Sequence, residues 1–185
     1  MSSGTLEALD KAPLQEILQL LLAQLDAALT QRGHHLSDSE SRDLISALAA
    51  GERPQCVKDL SAALIALVED SLKTLRLRFA LDFAGSLAAD VTQMADWEST
   101  ADLLTIANEK AQAEQTVVIA SALLVACGRI EYVTHLIEVI EDDAGAQDID
   151  AVIARRILRQ FGGIEGLETE GLDRARAWHL DQSRG

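Results

Sequence analysis

The chain has 185 residues, 48% of them hydrophobic, and its 30 acidic against 16 basic residues give a formal net charge of −14. This hydrophobic content excludes a disordered chain and suffices for one domain with a real core. The negative charge opposes binding to nucleic-acid phosphates or anionic lipid. Only 2 prolines, 11 glycines and 3% aromatic residues occur, and together with abundant Ala and Leu this favours an all-α fold.

The cellular location follows from the cysteines and the N-terminal sequence. Cys56 and Cys127 are the only two cysteines and lie far apart, which suggests a reducing compartment, although a single disulfide between them stays open. The start of the chain lacks the basic residues and apolar run of a signal peptide. The longest apolar run, about 12 residues, is far short of the ~20 that cross a bilayer. We therefore expect a cytoplasmic protein that does not span a membrane.

The first segment, residues 5–32, carries leucines and Ile17 at helical spacing, with Pro13 marking a fresh first turn. Leu20 and Leu22 widen the apolar stripe beyond what a lone surface helix buries. The pattern predicts a helix that packs on two neighbours or on a second copy of the chain.

A connection at Gly33, His34 and His35 precedes the clearest helix start in the sequence. Ser37 and Glu40 have the spacing of a capping box, with Leu36 as the hydrophobic residue before it. The helix that follows is predicted to end at Gly51.

The next segment, residues 55–83, keeps a helical period of apolar residues, but its end alternates strictly over 75–83 as a half-buried strand would. A lone strand would have no partner, so we predict a helix, with a break or kink at Gly85 and Ser86.

Residues 114–143 predict two antiparallel helices folded back on each other at Gly128. The run from Thr116 to Cys127 is the most apolar in the chain, which indicates a helix buried on most of its circumference. A glycine accommodates the left-handed conformation of a helix end. Beyond it, apolar residues recur on one face of a second helix: Ile130, Val133, Leu136, Ile137 and Ile140.

An internal spacing recurs in the second half of the chain. Leu124, Gly128, Ile130 and Glu131 coincide with Leu158, Gly162, Ile164 and Glu165 at an offset of 34. At an offset of 33, Val91, Ala95, Trp97, Glu98, Leu103 and Leu104 align with the same hairpin. The spacing predicts three helix–junction–helix units, at about 86–109, 114–143 and 148–180.

The 34-residue spacing and the apolar-x-x-x-Gly-x-apolar-Glu junction resemble the tetratricopeptide repeat over residues 84–180. The sequence departs from that family at Val133, Ile140 and Arg155, where small residues are usual, and no unit ends in proline. The resemblance implies a short α-solenoid whose concave face binds a peptide or helix of another protein. An irregular or HEAT-like bundle explains the same periodicity. Either way we expect one domain, with N-terminal helices over 5–83 and a repeat-like half over 84–180.

Candidate reactive groups are few. Glu131 and His135 are four residues apart with Glu138 one turn further, which allows a metal site but is more typical of a solvated helix face. Cys127 and His135 lie on different helices, so they do not indicate a nucleophile and its base. No nucleophile elbow, P-loop or dinucleotide fingerprint occurs. We expect no catalytic residue, no cofactor and no bound metal.

The sequence therefore favours a non-catalytic protein that binds another protein, as an adaptor, dedicated chaperone or assembly factor. The partner is expected to present a basic or amphipathic helical segment. Alternatives are a structural subunit of a homo-oligomer, assembled through residues 14–29, and a metal-binding or enzymatic bundle. The expected partner-binding residues are Trp97, Glu131, His135, Glu138, Arg155 and Arg159.

Overall fold

A computed structural model describes residues 11–52, 57–92, 100–142, 149–161 and 177, with backbone alone over 77–92 and 100–107 and at 142. The described residues form six α-helices and no strand, which confirms the all-α fold. The helices are α1 (Leu14–Gln31), α2 (Asp38–Ala49), α3 (Val57–Thr92), α4 (Thr100–Ala126), α5 (Val133–Asp142) and α6 (Ile149–Phe161). A short 3₁₀ turn, Ile130–Tyr132, precedes α5. None of the described helices is long and apolar enough to cross a bilayer.

Helix α4 lies at the centre of the fold. It packs against α1, α3, α5 and α6, and its contact with α3 is the most extensive in the described structure. Every residue from Val117 to Cys127 is buried, because helices surround this half of α4. The predicted burial of this helix, and of Cys127 within it, is confirmed.

The predicted hairpin around Gly128 is also confirmed. Gly128 has a φ of 85°, its N–H donates to the carbonyl of Val125 (2.9 Å), and the N–H of Arg129 donates to that of Leu124 (2.8 Å). This pair of bonds is a Schellman motif, which needs a left-handed residue after the helix. The second helix starts later than the apolar period predicts, because Ile130 belongs to the 3₁₀ turn and α5 begins at Val133.

Helix α1 packs on α2, α3 and α4, so the expectation that it needs at least two neighbours is confirmed. Its buried face consists of Ile17, Leu18, Leu21, Leu22, Leu25 and Leu29. Leu20, at 38% exposure, is the one exposed large hydrophobic residue among those described. Contacts within one molecule therefore account for most of the apolar stripe, and assembly through residues 14–29 stays a prediction.

The start of α2 has the predicted capping box. The N–H of Glu40 donates to Ser37 Oγ (3.3 Å), and the N–H of Ser37 donates to Glu40 Oε2 (2.8 Å). Leu36 packs against the core. It has no partner for a hydrophobic staple, because the helix residue at the pairing position is the polar Ser41. The helix ends at Ala49, and Gly51 follows in the left-handed region, at a φ of 76°.

Two features of the long central helices differ from the sequence-based expectations. Helix α3 is continuous over 57–92, so the helical interpretation of 75–83 is confirmed. The predicted break at Gly85 and Ser86 is wrong, whereas the alternative of a kink there stays a prediction. Helix α4 is continuous across 109–114, where the first two expected repeat units meet. The expected boundary at 83/84 lies within α3, and the junctions expected at Ala95–Asp96 and at 162–163 lie outside the described residues.

Polar contacts hold α1 at both ends. Arg156 Nη2 of α6 donates to the carbonyl oxygen of Ala12, just before α1 (3.0 Å). At the other end, Arg32 forms an ion pair with Asp70 of α3, which also contacts Lys73 Nζ at 3.3 Å. The first contact joins the start of α1 to α6, and the second joins its end to α3.

Candidate partner-binding sites

The expected face around Glu131 and His135 is divided between two elements. Glu131 lies in the 3₁₀ turn and its Oε1 accepts from Arg129 Nε at 2.6 Å. His135 lies in α5, with its Nδ1 at 3.6 Å from Glu138 Oε2. The sequence suggested that Glu131 and His135 are one-turn neighbours on a single α-helix, but Glu131 lies before that helix begins. The structure instead brings His135 together with Glu138.

Tyr132 joins these two small clusters. Its ring centroid lies 6.3 Å from that of His135, with the two ring planes tilted by 45°. Burial raises the pKa of the Tyr132 hydroxyl, and the carboxylates of Glu131 and Glu69 raise it further while Arg129 acts in the opposite direction. The phenol thus stays protonated at neutral pH, which leaves it a hydrogen-bonding group rather than a base.

The arginines of α6 are half-buried rather than displayed at the surface. Arg155, Arg156 and Arg159 each take part in a hydrogen-bonding or electrostatic contact within the molecule. Arg156, next to Arg155 in the same helix, donates to the carbonyl oxygen of Ala12. Trp97, the remaining expected partner-binding residue, lies outside the described residues.

No group of three or more His, Cys, Asp or Glu side chains that could hold a metal ion occurs in the part of the chain that the structure describes. Shallow depressions are present there. One, of about 410 Å³, is lined by Asn108, Ala111, Gln112, Glu114, Gln115 and Asp150. Its lining contains no large apolar side chain, so it offers little hydrophobic contribution to binding a partner.

The second depression has a different chemical character. It has a volume of about 480 Å³ and is lined by His34, Leu36, Glu40, Asp59, Leu60 and Ala62. We call it the acid-rimmed groove, because it combines apolar side chains with two carboxylates. It lies where the connection between α1 and α2 meets the first turns of α2 and α3.

Local sequence signals build one side of the acid-rimmed groove. The chain reverses at Gly33, and the N–H of His34 closes the end of α1 by donating to the carbonyl of Leu29 (2.9 Å). Leu36 follows, half-buried against the core, and the capping box at Ser37 then fixes Glu40 in the first turn of α2.

Helix α3 supplies the other side of the groove. Asp59 is exposed in its first turn. Leu60 is buried, and the exposed Ala62 lines the groove with a small side chain. Because these residues belong to a rigid helix, their spacing is fixed by the helical repeat.

The groove carries negative charge at neutral pH. The hydroxyl and backbone N–H of Ser37 bind Glu40 and lower the pKa of its carboxyl, burial slightly opposes them, and the charge of His35 adds to the lowering. Both hydrogen bonds from Ser37 end on Glu40 Oε2. Asp59 supplies the second carboxylate.

The sequence pointed to His34 and His35 only as loop residues beside a helix start, and it did not connect them with α3. The available signal was the pair of first-turn acids, Glu40 in α2 and Asp59 in α3. Nothing in the spacing shows that the two helix starts meet, because that depends on how α3 packs.

Comparisons with protein-family models, with curated protein sequences and with solved structures found no match. The resemblance to the tetratricopeptide repeat therefore stays a prediction. A function for this chain has to be argued from the chemistry of its own surface.

Proposed function

We propose that the protein is a non-catalytic interaction module, an adaptor, dedicated chaperone or assembly factor, that holds a basic and amphipathic segment of another protein in the acid-rimmed groove. The supporting observation is the combination of apolar lining from Leu36, Leu60 and Ala62 with the carboxylates of Glu40 and Asp59. An apolar anchor would enter between the two helix starts, and Lys or Arg side chains beside it would meet the acids.

The two parts of the groove contribute differently to binding. Burying about 100 Å² of an apolar anchor stabilises a complex by roughly 2.5 kcal/mol. Each exposed ion pair at the rim adds only about 0.2–1 kcal/mol, and the loss of free motion on association opposes both. Affinity would thus depend mainly on the anchor. The rim would select basic partners, and the formal net charge of −14 would speed their encounter with the protein.

A synthetic peptide tests this proposal directly. The probe is an amphipathic helix of leucine and lysine, blocked at both ends and carrying a fluorophore, and its binding is followed by fluorescence anisotropy. We expect affinity to fall as salt rises from about 50 to 500 mM, because exposed charge pairs are screened over this range. An affinity that does not change with salt would show that the carboxylates of the groove do not contribute to binding.

Matched variants locate the binding site. Ala62→Arg places a cation in the groove at an exposed position and is expected to weaken binding about tenfold or more. Ala23→Arg, on the exposed face of α1, makes the same change in net charge elsewhere and is the control. Equal affinities for the two variants would show that the peptide binds outside the groove.

A natural partner can then be sought with the same pair of proteins as bait. A protein captured from native extract by the wild type and by Ala23→Arg, but lost with Ala62→Arg and eluted by salt, would be the candidate partner. A protein that all three baits retain does not use the groove.

A further inference from the structure

We propose that the acid-rimmed groove is regulated by pH, so that it holds a basic segment at neutral pH and binds it more weakly as the pH falls toward 5.5. His34 and His35 would supply the opposing positive charge. This inference rests on the proposed function and deepens it.

The position of the two histidines is the first support. His34 is half-buried and lines the groove together with the two carboxylates. His35 is exposed beside it, and its charge acts on the carboxyl of Glu40. Both imidazoles are thus near the atoms that a Lys or Arg of the partner would approach. The Schellman motif at Gly33 fixes the backbone from which they project.

The other charged groups nearby belong to three elements. Glu40 of α2 and Asp59 of α3 are the charged residues that line the groove with His34 in the described structure. At the end of α1, Arg32 is bound to Asp70 of α3. Lys58 and Asp38 are sequence neighbours of the groove residues but do not line it.

The carboxylates and the imidazoles respond to different pH ranges. Histidine is the side chain that ordinarily changes charge between pH 5 and 8. Carboxyl groups ordinarily titrate near pH 4, and contacts with Ser37 lower the pKa of Glu40 further. A groove that combines both residue types therefore becomes less negative as the pH falls from 7.5 to 5.5, and its attraction for a cation declines.

The leucine–lysine peptide also serves as the probe here, because its blocked ends and lysines do not titrate between pH 5.5 and 7.5. At constant ionic strength we expect its affinity for the 185-residue chain to be about three- to tenfold weaker at pH 5.5 than at pH 7.5. The double variant His34→Asn, His35→Asn is expected to bind with nearly the same affinity at both pH values. The control His135→Asn, on α5, should keep the wild-type pH dependence.

Calorimetry gives a second readout that needs no variant. If a bound cation disfavours the charged imidazoles, binding must release protons at pH 6.5. The measured heat will then differ between two buffers of different ionisation enthalpy. Equal heats would overturn the inference.

The outcomes separate this inference from the proposed function. Binding that is blocked by Ala62→Arg but is equal at both pH values, or stronger at pH 5.5, overturns the pH regulation and leaves the proposed function standing. The same holds if the double histidine variant keeps the full pH dependence. No binding at any pH would overturn both.

Discussion

Ser121 is a polar residue in the most deeply buried part of α4. It is 0% exposed, and its Oγ has no hydrogen-bond partner. Thr116, one turn earlier, differs because its hydroxyl donates to the carbonyl of Gln112 at 2.8 Å. A buried hydroxyl without a partner costs about 1–3 kcal/mol. Ser121 therefore weakens a core that is otherwise apolar at this level.

We expect Ser121→Ala to raise the free energy of unfolding by about 1 kcal/mol, because alanine fits the same space without a hydroxyl to desolvate. Urea denaturation followed by circular dichroism measures this change. The control is Ser46→Ala at an exposed position of α2, where the change should be within about 0.5 kcal/mol. A loss of stability in Ser121→Ala would show that the buried hydroxyl does bind a partner.

Residue-level predictions from the sequence succeeded where the interaction is local. Ser37 and Glu40 form their capping box within four consecutive residues, so the spacing alone identifies it. The sequence placed Glu131 and His135 on one helix face, whereas Glu131 lies in the 3₁₀ turn through which the chain leaves Gly128. That turn depends on how α5 packs against α4, which spacing does not reveal.

At the scale of the helices, Gly51 and Gly85 have opposite effects on stability. Gly51 follows α2 with a φ of 76°, and a Cβ added there would meet nothing within 4 Å. A side chain at this position would thus cost only backbone strain. Gly85 lies within the continuous helix α3, where glycine is less favourable than alanine because it gains more freedom on unfolding.

These two positions predict stability changes of opposite sign. Gly51→Ala is expected to lower the free energy of unfolding by about 1–2 kcal/mol, since an L-residue resists the left-handed region. Gly85→Ala is expected to raise it by about 0.5–1 kcal/mol. Thermal unfolding of both variants beside the wild type measures the changes. Destabilisation by Gly85→Ala would indicate that the helix is interrupted there after all.

The continuity of α4 also has a local explanation. The stretch where two repeat units were expected to meet, from Glu109 to Gln115, contains only good helix formers and no glycine or proline. Lys110 and Glu114 add an ion pair one turn apart, at 3.9 Å. The 33-residue offset suggested a junction that these residues do not encode. Local propensity was the better guide here.

At the scale of the whole molecule, one apolar cluster includes residues from all six described helices. Leu18 of α1 and Leu158 of α6 both belong to it, and each is 0% exposed. The two halves that the sequence distinguished thus share a core. Such sharing favours a single cooperative unfolding transition.

We expect Leu18→Ala and Leu158→Ala each to lower the free energy of unfolding by about 2–5 kcal/mol through lost burial and a residual cavity. Both should shift the same transition, observed by far-UV circular dichroism and by tryptophan fluorescence. Leu20→Ala, at the exposed site on α1, is the control and should change stability by less than about 1 kcal/mol. Two separate transitions would contradict a shared core.

The acid-rimmed groove could not be predicted from the sequence, because it depends on how the helices pack in the whole molecule. Its lining residues come from the α1–α2 connection and from the starts of α2 and α3. Helical periodicity predicts which face of each helix is buried, but not which helix starts meet. The acidic composition favoured a basic partner, while the position of the groove follows from tertiary packing.

The hydrogen bond from Arg156 to Ala12 joins residues separated by 144 positions, and this separation has a consequence for biosynthesis. A ribosome adding roughly 5–20 residues per second completes α1 about 5 to 20 seconds before α4, the helix that covers part of its leucine face, and reaches Arg156 later still. During that interval the leucine face of α1 lacks the cover that α4 supplies, and only α2 and α3 are available to pack on it. Chains stalled before α4 are therefore expected to be the form of this protein that recruits general folding chaperones and aggregates most readily.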